Sequence, residues 1–159
     1  MFTEYGSEAK IVNSNSPNVM LVMFKPSVMI PTTGKLVLKI PTKTFGGVTL
    51  FDNDLGSGIS SGNKINCFNV QNFVGTLSCT LTHGDQLIGS PALITINGFT
   101  TNLAITSTYK FYLDGFKNPI SGGDNKHVET TLEGYDGSNN LINWATAYDF
   151  TIIDFAITP

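Results

Sequence analysis

Two stretches of polar–apolar alternation, each running into a glycine, dominate the middle of the chain: Ile94-Thr-Ile96-Asn-Gly98-Phe99 and Tyr109-Lys-Phe111-Tyr-Leu113-Asp-Gly115-Phe116. Side chains of an extended strand point alternately to opposite faces, so a period of two marks one face for the core and one for solvent. The same period recurs elsewhere. Leu36, Leu38 and Ile40 alternate with Lys35, Val37 and Lys39, and Leu77, Cys79 and Leu81 alternate with Thr76, Ser78, Thr80 and Thr82. Val128, Thr130 and Leu132 alternate with Glu129, Thr131 and Glu133. Val19 to Lys25 is apolar on both faces, as a central strand requires. Val48–Phe51, Ile65–Val70 and Ala92–Ile96 carry weaker strand patterns.

Turn chemistry separates these runs. Gly46-Gly47, Gly56-Ser-Gly58, Gly122-Gly123-Asp124 and Asp136-Gly137-Ser138 are loop sequences. Tyr135-Asp-Gly-Ser-Asn-Asn140 reads as a hairpin connection between Val128–Leu132 and Leu141–Tyr148. With no helical period anywhere, the expected fold is all-β, an antiparallel β-sandwich of Ig-like or jelly-roll-like Greek-key topology. Its expected core is Leu36, Leu38, Ile40, Leu77, Leu81, Ile94, Ile96, Tyr109, Phe111 and Leu113. The 159 residues suffice for one domain with a real core. The expected division is a sandwich over 19–148, an N-terminal segment 1–18 available for strand exchange, and a strand-like C-terminal segment 149–159.

Charge narrows the function classes. All nine basic residues are lysine and the net charge is −3, so neither bidentate arginine readout nor a basic footprint points to nucleic acid. No apolar run reaches the roughly 18 residues of a membrane span. Met1–Lys10 lacks the apolar core of a signal peptide, so secretion would make this chain a processed form or a fragment of a longer precursor.

Motifs that carry chemistry are scarce. There is no Gly-x-Ser-x-Gly elbow, no phosphate loop and no His-Glu-x-x-His. His83 and Asp85 have no nucleophile to serve, and Glu129 and Glu133 fall on a strand's outer face, where solvated carboxylates are the default. No enzyme and no cofactor are expected. Cys67 and Cys79 with His83 and His127 lack zinc-ligand spacing, so no metal centre of that kind is expected. Asp52 and Asp54, ahead of Gly56-Ser-Gly58, are a candidate calcium loop, although no EF-hand glutamate follows and the same residues serve ordinary turns. Trp144 and Tyr112 are candidate glycan contacts, against the commoner fate of a lone sandwich tryptophan, which is core. No Asn-x-Ser/Thr sequon exists, which leaves O-linked sugar at Thr32-Thr33, Thr100-Thr101 or Ser60-Ser61.

One further pattern joins these elements. Phe24-Lys-Pro26, Pro31, Gly34 to Pro41, the pair Cys67/Cys79, Ile94-x-Ile96-x-Gly98 and Tyr109-x-Phe111-x-Leu113-x-Gly115-x-x-Asn118-Pro119 follow one another over roughly residues 19–143. In this order the chain resembles a β-rich repeat module of large extracellular and cell-surface proteins of ciliates and related protists. The resemblance implies location and architecture, and no catalytic residue comes with it. On their own, Cys67 and Cys79 fit either a buried disulfide or two buried thiols. The resemblance favours the disulfide, worth about 3 kcal/mol for such a loop in the chain-entropy picture.

The ends complete the expectation. Thr151, Ile153, Phe155 and Ile157 share one face of a terminal strand pattern. Such a segment at a free end invites pairing. The expected function is an extracellular structural module that polymerises head to tail by strand complementation, with Ile153, Phe155 and Ile157 as the assembly strand and the protein itself as partner. A glycan-binding module or adhesin and a viral capsid or fibre jelly roll are the alternatives.

Overall fold

A computed structural model describes residues 1–9, 17–40, 66–82, 90–117 and 126–152. Among them are nine strands: β1 (Glu4–Ala9), β2 (Pro17–Lys25), β3 (Lys35–Ile40), β4 (Asn66–Gln71), β5 (Ser78–Thr82), β6 (Ala92–Asn97), β7 (Tyr109–Lys117), β8 (Lys126–Tyr135) and β9 (Leu141–Ile152). All pairings are antiparallel, and no described residue is helical. A four-stranded sheet runs β1-β2-β7-β4, and a five-stranded sheet runs β5-β6-β3-β8-β9. The protein is all-β, with two sheets enclosing one core.

The inward residues of both sheets meet as their alternation requires. Nine of the ten expected core residues are buried, and Leu81, on edge strand β5, is partly buried against the same cluster. An aromatic group fills the middle. The Phe24 ring lies 5.2 Å from Phe2, 5.5 Å from Tyr109 and 6.0 Å from Phe73. Phe73 in turn lies 5.1 Å from Tyr109 and 6.1 Å from Phe111. Each such side chain contributes about 1.5–3 kcal/mol of burial, and their tilted contacts somewhat more. The Tyr109 hydroxyl sits inside this group and accepts the Ala104 amide at 2.7 Å, so its polar atom is satisfied.

The two open sides of the sandwich close differently. On one side Phe2 tucks into the core and its amide donates to the Trp144 carbonyl at 3.0 Å, bringing the start of the chain onto β9. On the other side the Cys67–Cys79 disulfide joins edge strand β4 to edge strand β5, with Cα atoms 5.9 Å apart. That separation is ordinary for a disulfide.

Local sequence explains the connections. The β8–β9 hairpin forms where expected: Asp136 Oδ1 accepts the Ser138 and Asn140 amides at 2.9 Å each, and Asn139 adopts φ 65°, a conformation asparagine tolerates. Gly98 is the corner its motif suggested. Its φ is +93°, and a Cβ there would strike the Thr76 carbonyl. Gly115 is not a corner. β7 continues through it to Lys117, and the register from Met20↔Leu113 to Asn18↔Phe116 sets Asp114 and Gly115 against the single residue Val19. The glycine therefore sits in a β-bulge, which re-aims the strand without ending it.

The expected boundaries at 18/19 and 148/149 fall inside β2 and β9. Glu4–Ala9 pairs with β2 of the same chain, and β9 stays paired to β8 as far as Ile152↔Lys126.

Candidate functional site

The two outer faces offer different chemistry. On the five-stranded sheet, the pairings align Thr80, Thr95, Val37, Glu133 and Trp144 in a row across β5, β6, β3, β8 and β9. Glu133 is only 9% exposed, and its Oε1, shielded from solvent, faces the Lys39 ammonium at 2.8 Å. The contact is an ion pair with angles short of an aligned hydrogen bond, yet close enough to hold the Lys39 pKa above its ordinary 10.5, the contact to Glu133 being the largest cause. Tyr135, next on the same face, is pushed above its ordinary 10.0 by burial first and by Glu133 second. The Lys35 ammonium stands 5.3 Å from the Tyr135 ring centre, in cation–π range. Thr131 and Thr146 pair across β8 and β9 through hydroxyls 2.9 Å apart.

Glu133 thus departs from the solvated carboxylate its outward position suggested. Val37, its cross-strand neighbour on β3, is itself buried on this outer face, and Trp144 flanks the other side. A carboxylate so placed needs a paired cation, which Lys39 supplies. Trp144 takes the less common fate for a lone tryptophan, with 47% of its surface in solvent.

On the four-stranded sheet an outer row that starts at Glu8 on β1 is apolar from β2 to β4. Leu21, Tyr112 and Phe68 are consecutive cross-strand neighbours on β2, β7 and β4. Phe68 is 52% exposed, and Val70 and Val74 close to it in sequence are exposed as well. Among the described residues β4 is hydrogen-bonded along one edge only, to β7. A bulge between Asn69 and Gln71 bends its far end.

Trp144 and Tyr112, grouped in the sequence reading, stand on the outer faces of different sheets and cannot form one glycan site. Cys67 and Cys79 do come together. Asp52, Asp54, His83, Asp85, Ser60-Ser61, Ile153, Phe155 and Ile157 lie outside the described residues. Asp136 is committed to its turn. Hydrogen bonds from Asn140, backbone first, lower its pKa below the ordinary 3.8. Thr32, Thr33, Thr100 and Thr101 are exposed, and the Thr32 amide donates to Asn102 at 3.1 Å, so both threonine pairs lie at one end of the sandwich. No described group of three or more His, Cys, Asp and Glu is placed to hold a metal, and no described helix is long and apolar enough to cross a membrane.

Sequence reasoning missed Asn143. It is fully buried on the inward face of β9. Its Oδ1 accepts the Ser27 amide at 2.9 Å, the Ser27 hydroxyl at 3.1 Å and the Val28 amide at 3.3 Å, while its Nδ2 donates to the Val28 carbonyl at 2.8 Å. This one side chain binds the loop after β2 to β9. The only sequence trace is an asparagine where the hairpin's alternation asks for an apolar residue.

No family model, no curated protein and no solved structure matches the chain.

Proposed function

We propose that this chain is an extracellular, non-catalytic structural module that assembles with further copies of itself along β4, an edge strand of the four-stranded sheet among the described residues, in keeping with its likeness to ciliate surface modules. The observation that carries the reading is Phe68, more than half exposed, on an edge strand whose outer row continues through Tyr112 and Leu21. Apolar side chains along an unpaired edge invite another strand, and a monomer ordinarily blunts such an edge with charge or proline. Described β4 carries neither. The disulfide beside it supports an oxidising compartment.

The donor is residues 153–159 of a second copy. Asp149–Ile152 are occupied in their own sheet, so the donor is shorter than the 149–159 segment first expected. Extended, seven residues reach about 23 Å, enough to lie along the six residues of β4. Ile153, Phe155 and Ile157 would add about 1.5–3 kcal/mol each on burial, before entropy losses. A donor edge unlike its acceptor edge makes the contact heterologous, and repetition gives an open fibre.

Sedimentation and negative-stain microscopy test this. The whole chain is expected to form polymer as concentration rises. A chain lacking residues 153–159 and the Phe68→Glu variant are expected to stay monomeric with unchanged circular dichroism. Normal polymer from either variant, or a whole chain that stays monomeric, contradicts the reading.

A further inference from the structure

Trp144 is the chain's single tryptophan, and nearly half of it lies in solvent. A half-exposed indole offers a flat apolar plane with a polar edge, and its surroundings say what could lie on it. They are not those of the opposite face. Beside it on β8 is Glu133, whose carboxylate fixes the Lys39 ammonium at 2.8 Å. Two residues further along β9, on the same face, Thr146 is joined to Thr131 by their hydroxyls. The Lys39 side chain is 39% exposed against 12% for that of Glu133, so the lysine is the more accessible member of the pair. An exposed flat ring is therefore bordered by polar groups already held in place.

A sugar ring has matching demands. Its C–H face stacks on an aromatic plane, and its rim of hydroxyls needs donors and acceptors in fixed positions. Lys39 has ammonium hydrogens beyond the one directed at Glu133, and the Thr131–Thr146 pair retains both donor and acceptor capacity. The Lys39 and Glu133 charges cancel, which favours a neutral sugar over an acidic one. A protein partner would find its wider apolar surface on the other sheet.

We infer that the outer face of β8 and β9 is a binding platform for neutral pyranose units of a glycan. Trp144 stacks the ring, Lys39 and the Thr131–Thr146 hydroxyls bind its rim, and Glu133 is a positioning residue that holds Lys39. This goes beyond the assembly reading and uses the opposite face, so either can fail alone.

One tryptophan makes the test direct, because its emission reports on this position only. The whole chain is titrated with neutral gluco-, manno- and N-acetylglucosamine oligosaccharides and, in a separate arm, with oligouronates, and is also applied to a glycan array. Saturable change in emission with a neutral oligosaccharide is expected, with little from oligouronates. On the array, Trp144→Ala is expected to weaken binding at least tenfold and Lys39→Met several-fold. Trp144→Phe should retain part of the binding, which guards against a folding artefact, and Tyr112→Ala should leave it unchanged. The inference is overturned if no neutral sugar moves the emission, if array binding survives Trp144→Ala, or if emission changes only with protein concentration, which would make this face an interface between copies.

Discussion

The two outer faces of this sandwich are built from the same strand grammar and come out differently. On the five-stranded sheet, outward positions hold Lys35, Lys39, Glu133, Tyr135, Thr131, Thr146 and Trp144, tied by an ion pair, a cation–π contact and a hydroxyl pair. On the four-stranded sheet, the row Leu21–Tyr112–Phe68 is apolar up to a strand edge. A period of two says which residues point outward and nothing about what covers them. The pairing of strands distant in sequence decides that. Lys39 and Glu133 meet because β3 lies beside β8, and Phe68 is exposed on β4, which ends its sheet among the described residues.

The widest gap in stability should separate the inside from the outside of one strand. Phe111 and Tyr112 are neighbours on β7, one fully buried and one facing out. Phe111→Ala should cost on the order of 3–5 kcal/mol in denaturant unfolding. Tyr112→Ala should cost about 1 kcal/mol or less. Similar costs for the two would erase the distinction between the faces of this sheet.

Next comes the bond joining the two sheets. Replacing both Cys67 and Cys79 with serine should cost about 3 kcal/mol by the chain-entropy estimate, less whatever the substituted edge relaxes. The opposite side, where Phe2 packs on β9 without a covalent link, should keep its hydrogen-exchange protection. Mass spectrometry of protein from its source should show the loss of two hydrogens, about 2 Da, that disulfide closure entails.

Asn143→Ala should cost about 2–3 kcal/mol, because it strands the Ser27 and Val28 amides and the Val28 carbonyl. The adjacent Trp144→Ala should be nearly neutral for stability. The comparison again sets an inward residue against its outward neighbour, this time on β9.

The smallest effect is alkaline. Lys39 and Tyr135 both hold their protons more tightly in the folded protein than at their ordinary 10.5 and 10.0. The native state therefore binds more protons than the unfolded one above about pH 10, and stability falls as pH rises through the folded values. Below pH 10 the contribution is complete. With the Lys39 side chain 39% exposed, solvent screening keeps this contribution to about 1 kcal/mol or less. Glu133→Gln should flatten this limb of the stability curve.

How much of this was readable in the sequence follows the same division. The alternation at Leu36–Ile40, Leu77–Leu81 and Tyr109–Leu113 marked the core, and Asp136-Gly137-Ser138 marked the hairpin, because both signals are local. The cysteine pair was visible as a pair, and the structure adds that it joins two sheet edges. The Gly115 bulge was not readable, since a glycine after an alternating run looks the same at a corner and at a bulge. Asn143 was not readable either. Its partners Ser27 and Val28 lie 116 and 115 residues away, and nothing local requires them. Glu133 reads as solvated by its outward position, and only the pairing of β3 with β8 shows it buried against Lys39; for Trp144 the sequence leaves both a glycan contact and a core place open, and the structure leaves it 47% exposed.

Assembly along β4, as proposed, leaves the β9 face open to solvent. Hydrogen–deuterium exchange at rising protein concentration reads both strands in one experiment. Amides of Asn66–Asn69 are expected to gain protection as polymer forms while those around Trp144 do not change. Protection gained on β9 and absent from β4, or polymer with no gain on β4, would contradict it.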